Sequence, residues 1–146
     1  MHGMNRWLLA GGLLSTLAAF LHLGVIAGGP ESYRFFGAGE RMARMAEQGS
    51  PTPTLITIGI AVILFIWAAY AFAGVGLIRR LPLMRTALVT ITAIYLLRGM
   101  ILFPALAAEP QADAFTIWSS MIVLVYGIVY AAGTCRSWSF LSKRPH

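Results

Sequence analysis

The sequence is short of charge. Only 11% of its 146 residues are Asp, Glu, Lys or Arg, against 58% that are hydrophobic, whereas a soluble domain averages about 25% charged residues. So little polar material excludes an ordinary water-soluble fold, and the length allows one domain. Carboxylates number five and form no cluster in the sequence. The single cysteine, Cys135, excludes an intrachain disulfide. It follows the last apolar run beside Arg136, with no His or Glu nearby to activate it, and reads as a free thiol in a reducing compartment.

Motifs that carry chemistry are also scarce. There is no HExxH, no CxxC and no legible Ser-His-Asp set, so no metal site and no hydrolytic triad is expected. Gly37-Ala38-Gly39-Glu40 lacks the lysine and the spacing of a phosphate loop. His2 and His146 stand at the chain ends, on the opposite side from His22. No internal repeat and no low-complexity segment is visible. The net charge of +6 suggests nucleic acid at first sight, but ten of the eleven cations are arginines scattered at the ends of apolar runs. Without a basic stripe interleaved with aromatics they read as topology determinants, and nucleic acid is not an expected partner.

What the chain does have is four long apolar runs. The first covers residues 7–27. At about 21 residues it exceeds the h-region of a signal peptide, about 7–15 residues, and is expected to be a retained span. The second covers 54–78 without a charge and is long enough to cross with some tilt. The third covers 86–104 and the fourth 115–134. Gly28-Gly29-Pro30 is expected to end the first helix, and Pro82 to prevent a continuous helix through the tight basic turn Arg79–Arg85. In the outer loop 28–53, residues 39–48 suit a short amphipathic interfacial helix. Met42, Met45 and Ala46 lie on one side, with Arg41, Arg44 and Glu47 on the other. The predicted fold class is therefore all-α: one transmembrane four-helix bundle over residues 1–146, running up-down-up-down.

Arg6, Arg79, Arg80, Arg85, Arg136, Lys143 and Arg144 fall on one side of such a bundle. Arg34, Arg41 and Arg44 fall on the other, beside three acids. That asymmetry predicts a multi-pass protein of the bacterial inner (cytoplasmic) membrane with both termini cytoplasmic.

The chain is organised around Arg98, an arginine inside the third run. A lone arginine near the centre of a span costs about 2.5–3.5 kcal/mol on insertion scales, so something must offset it. Arg98 is six residues before Pro104, roughly 9 Å inside the outer boundary. His22, five residues before Ala27, is roughly 8 Å from the same boundary. Thr57, Ser119 and Ser120 fall at similar depth, so all four spans carry polar groups in one outer layer.

Faces agree with depth. Gly11, Ser15, Ala18 and His22 form a small-residue stripe on the first span, and Gly24 and Gly28 add a GxxxG spacing. Tyr95 shares a side with Arg98, and Thr116, Ser119, Tyr126 and Tyr130 share a stripe on the fourth span. Arg98 has three readings: snorkelling to headgroups, an ion pair with Glu40 or Glu31, Glu40 preferred, or a clamp for a bound anion. His22 reads either as a buried neutral imidazole bonded to a serine or carbonyl, or as a donor and proton carrier. The candidate ligand-binding set is Arg98, His22, Glu40, Tyr33, Tyr95, Ser119, Ser120 and Thr57, with no catalytic residue and no metal ligand assigned.

The segments HLGVIAGGPESYRFFGAGE (22–40), PTLITIGIA, RRLP and AIYLLRG resemble a group of small uncharacterised bacterial four-span integral membrane proteins. The similarity covers about residues 7–134. Its most specific pieces are Tyr33–Glu40 and Tyr95–Gly99. The resemblance implies location and architecture and no activity.

Three functional readings follow. The favoured one is a non-enzymatic binding or accessory protein whose outer polar pocket holds a lipid headgroup, a quinone-like molecule or an anionic small ligand. The second is a membrane enzyme or proton-coupled carrier using His22 and Glu40. Against a carrier stands the near absence of ionisable groups in the cytoplasmic halves of the first two spans. The third is a structural scaffold subunit. Expected partners are membrane lipids, a lipid-like or anionic ligand, and a homo-oligomer or larger membrane complex; no cofactor is named by the sequence.

Overall fold

A computed structural model describes residues 5–107 and 114–141. The expectations placed on His2, Lys143, Arg144 and His146 lie outside these residues. α-Helix is the only regular structure among those described. The helices are α1 (Arg6–Phe35), α2 (Glu40–Glu47), α3 (Thr52–Gly74), α4 (Met84–Met100), α5 (Leu102–Ala107), α6 (Ala114–Arg136) and α7 (Trp138–Leu141). The fold is an all-α helical bundle built on four long apolar helices, α1, α3, α4 continued by α5, and α6, each long and apolar enough to cross a membrane. In an 18-residue window of each, at most 28% is buried. Many large apolar side chains, Leu13, Leu17, Ile63, Leu97 and Ile128 among them, are exposed. Soluble monomers rarely expose contiguous apolar surface on that scale, and the chain is a multi-pass membrane protein.

Local sequence explains where the helices bend and stop. Gly28-Gly29-Pro30 does not end α1, as the sequence predicts, but breaks it. Gly29 is non-helical at φ 66°, ψ −155°, and helix resumes from Pro30 to Phe35. Glycine reaches that left-handed φ without a Cβ clash, and proline suits the first turn of the resumed helix because its absent N–H would have no partner there. α3 ends at Gly74 rather than near Ile78. Gly76, at φ 82°, lets the Leu77 N–H reach the Phe72 carbonyl at 3.0 Å and its own N–H reach Ala73 at 3.1 Å, a glycine-closed helix end. At the other end of the third span, helix continues past Pro104 to Ala107. Pro104 falls in the first turn of α5, where backbone N–H groups are unpaired anyway.

The described residues fall into two compact units, 5–15 with 67–107 and 114–141, and 16–66. In the first, α4 packs along α6. A Cβ on Gly99 would lie 2.5 Å from Leu124 Cα, and one on Gly127 would lie 2.7 Å from Leu96 Cδ2. The two glycines set the approach of the helices, and the pairing is antiparallel because numbers rise along α4 as they fall along α6. The start of α1 joins the end of α6. A Cβ on Gly133 would meet the Leu8 backbone nitrogen at 2.9 Å. Asn5 caps α1, its Oδ1 accepting from the Trp7 and Leu8 N–H groups at 3.1 and 3.3 Å. Its Nδ2 donates to the Gly133 carbonyl at 2.7 Å and to Ser137 Oγ at 2.6 Å.

In the second unit a small core gathers Val25, Tyr33 and Ala43, with Met42 and Ala46 against it. The helix expected within 39–48 is α2, and the centre of its covered face is Ala43. Phe20 and Phe65 meet edge to face at 5.3 Å. The GxxxG spacing of Gly24 and Gly28 is not used for close packing. A Cβ on Gly24 would meet nothing within 4 Å, and one on Gly28 would meet only Ser32.

Candidate functional site

Arg98 stands one residue before Gly99, where α4 comes closest to α6, and this crossing hands it two hydroxyls. Its Nη1 donates to Ser120 Oγ at 2.9 Å and its Nη2 to Ser119 Oγ at 3.3 Å. Ser119 in turn donates to the Thr116 carbonyl at 3.3 Å, which orients its lone pairs toward the guanidinium. Ser120 is fully buried while Arg98 is exposed. The serines occupy two of five guanidinium N–H donors. They hydrogen-bond the cation without cancelling its charge, and no carboxylate occurs among the described residues of this unit.

Tyr95, three residues earlier, faces inward. Its hydroxyl lies 2.9 Å from Ser15 Oγ, which lies 2.8 Å from the Tyr130 hydroxyl. Tyr130 donates to the Trp67 carbonyl at 3.3 Å. Because that carbonyl only accepts, the proton order along the row is fixed: Tyr95 donates to Ser15, Ser15 to Tyr130, Tyr130 to the backbone. Tyr126 donates separately to the Leu14 carbonyl at 3.1 Å. The Tyr95 ring packs on Trp67, Tyr126 and Tyr130 at centroid distances of 4.8, 5.5 and 5.3 Å. This closed network ties four helices together. Its sequence signal was present in the small-residue stripe bearing Ser15 and the tyrosines of α6, yet only the fold shows them meeting.

The remaining candidates belong to the second unit, and each has a local partner. His22 Nδ1 donates to the Ala18 carbonyl at 2.8 Å. That bond puts the proton on Nδ1, and in the neutral ring it leaves Nε2 as an acceptor. Thr57 Oγ1 donates to the Pro53 carbonyl at 2.8 Å and is buried. Tyr33 is buried in the small core, its hydroxyl without a partner among the described residues.

Glu40 accepts from Arg34 Nε at 2.9 Å and Nη2 at 3.2 Å, and from Arg44 Nε at 3.1 Å. Arg34 also pairs with Glu31 at 2.8 Å and Glu47 at 2.7 Å. The partners that the structure gives Glu40 and Glu31 are thus arginines of their own unit. Hydrogen bonds from Arg34 first, then Arg44, hold the Glu40 carboxyl well below the usual carboxylate range, at about 2.

A feature that the sequence reading did not single out lies at the basic end of the first unit. A cleft of about 710 Å³ opens between Arg6, Trp7, Arg136, Ser137, Ser139 and Phe140, floored by Ala10, Gly74, Val75 and Val129. Three arginine–aromatic pairs, distant in sequence and joined only by the fold, lie at this end. Arg80 lies over Phe140 at 4.6 Å, Arg85 over Trp138 at 4.4 Å and Arg136 over Trp7 at 5.4 Å. No protein-family model matches this sequence, and neither a curated protein nor a solved structure is significantly similar to it.

Proposed function

We propose that this chain is a non-enzymatic binding or accessory protein of a bacterial inner membrane, inserted up-down-up-down with both termini cytoplasmic. In this reading Arg98 holds an oxyanion, from a lipid headgroup or a small acidic ligand, near the outer face. The observation that carries the proposal is the guanidinium fixed by Ser119 and Ser120 and left with its full charge. In hydrocarbon an uncompensated cation is costly, and an anion offsets more of that cost than any hydroxyl. The alternative of proton transfer through His22 and Glu40 is disfavoured, because a carboxylate held at about 2 is a weak base near neutrality.

Native mass spectrometry of gently extracted protein tests the proposal. The wild type should retain a stoichiometric anionic adduct that Arg98→Leu lacks. A mass that matches a phospholipid points to a headgroup, and a smaller mass to a free ligand. Identical spectra from a folded Arg98→Leu variant would overturn the reading.

A second reading, a scaffold subunit of a homo-oligomer or larger complex, rests on a different observation. In the Tyr95–Ser15–Tyr130 row every hydroxyl has a protein partner, as expected of a device that fixes helix register. It predicts bare protein in the same experiment and a stoichiometric protein partner.

A further inference from the structure

Charge is distributed unevenly between the two units. The described residues of the second unit carry Arg34, Arg41 and Arg44 against Glu31, Glu40 and Glu47, three cations to three anions. Those of the first carry Arg6, Arg79, Arg80, Arg85, Arg98 and Arg136 and no carboxylate at all. Contacts within that unit bring four of these arginines to one end. Arg80 lies over Phe140 and also donates to its carbonyl, and Arg85 lies over Trp138 and donates to its carbonyl at 3.2 Å. Arg6 and Arg136 line the cleft beside them.

The cleft has a polar mouth and an apolar floor. Arg6, Arg136 and Ser139 are exposed and form the mouth; Ser137 and Val129 are buried and Ala10 and Val75 partly so, with Trp7 and Phe140 completing the lining. The Ser137 hydroxyl oxygen already accepts from Asn5, so its own proton is available to give. Cations and hydroxyl donors over a greasy floor match a phosphodiester that carries acyl chains. Basic pockets between membrane helices are a recurrent way of holding anionic headgroups, and a cleft of about 710 Å³ is of the size that holds a small ligand, roughly 300–1,000 Å³.

We propose that this cleft is a binding site for an anionic phospholipid. Arg6 and Arg136 clamp the phosphate, Ser137 and Ser139 donate to it, and Trp7 and Phe140 flank the glycerol and first methylenes. The site is separate from Arg98 and does not depend on which way the chain is inserted.

Thermal unfolding of the full chain in a neutral detergent tests it, with phosphatidylglycerol, phosphatidylcholine or inorganic phosphate added. Phosphatidylglycerol should raise the midpoint in a saturable way, and the other two should not. Arg6→Gln and Arg136→Gln should each shift the half-saturating lipid concentration upward by more than about tenfold. Arg79→Gln removes the same charge outside the cleft and should shift it by at most about fivefold. Ala10→Leu fills the floor and keeps every charge; it should weaken lipid stabilisation even if an arginine variant fails to fold. Equal effects of the two lipids, equal loss in Arg79→Gln and the cleft variants, an unaffected Ala10→Leu, or inorganic phosphate acting as well as the lipid would each overturn the proposal.

Discussion

Single residues decide the electrostatics of this protein by whether their partner is neutral or charged. Arg98 has hydroxyl partners, whereas Arg34 has three carboxylates. Glu40 gives the clearest pH test. Its folded pKa is lowered to about 2, below the ordinary glutamate value of about 4.3. Its contribution to stability is therefore complete above about 4.3 and is lost as pH falls through about 2. A carboxyl NMR titration should give a Glu40 midpoint well below 4.3 that moves up toward it in Arg34→Gln; an ordinary midpoint in the wild type would refute the pairing. The buried row offers a second test. Tyr130→Phe removes the acceptor of Ser15 and the donor to Trp67, and should cost about 1–3 kcal/mol in detergent unfolding. Tyr126→Phe severs one bond to Leu14 and should cost less, about 0.5–1.5 kcal/mol. At this scale the sequence identified Arg98, Ser119 and Ser120 as sharing a depth, because helical rise converts position into depth. It could not tell that Tyr95 turns inward to Ser15, since that depends on which helices are neighbours.

At the scale of elements, runs of apolar residues located all four long helices, because length and hydrophobicity alone set what can span a bilayer. Boundaries were less legible. Gly-Gly-Pro reads as a stop in sequence, yet helix resumes once Pro30 supplies a ready-made first turn. Pro104 likewise lies within α5 rather than at its end. The close-packed positions were misread for a related reason, since a GxxxG spacing marks an opportunity and a neighbour must take it. Gly99 and Gly127 are the positions where α6 and α4 meet, whereas Gly24 faces open space. Gly99→Ala puts a methyl against Leu124 backbone and should destabilise by about 1–3 kcal/mol. Gly24→Ala should be neutral or stabilising by up to about 1 kcal/mol, because alanine is the better helix former. Thermal unfolding of both variants in one detergent checks the order, and a reversal would contradict the assigned helix contacts.

For the whole molecule, composition was enough to exclude a water-soluble fold, and the outward-facing apolar side chains agree. The cleft at the basic end was not legible, because it is built from the start of α1, the end of α3 and residues 129–140. Sequence distance hides that meeting, and Asn5 makes it through Gly133 and Ser137. The account as a whole rests on the intramembrane arginine being matched by hydroxyls of the neighbouring helix. A double-mutant cycle on thermal unfolding with Arg98→Leu and Ser120→Ala tests this most directly. A coupling of about 0.5–2 kcal/mol is expected, in the range of polar contacts measured within membranes and of hydrogen bonds to charged groups. Additive effects within about 0.3 kcal/mol would mean that Arg98 and Ser120 do not interact, and would contradict the site.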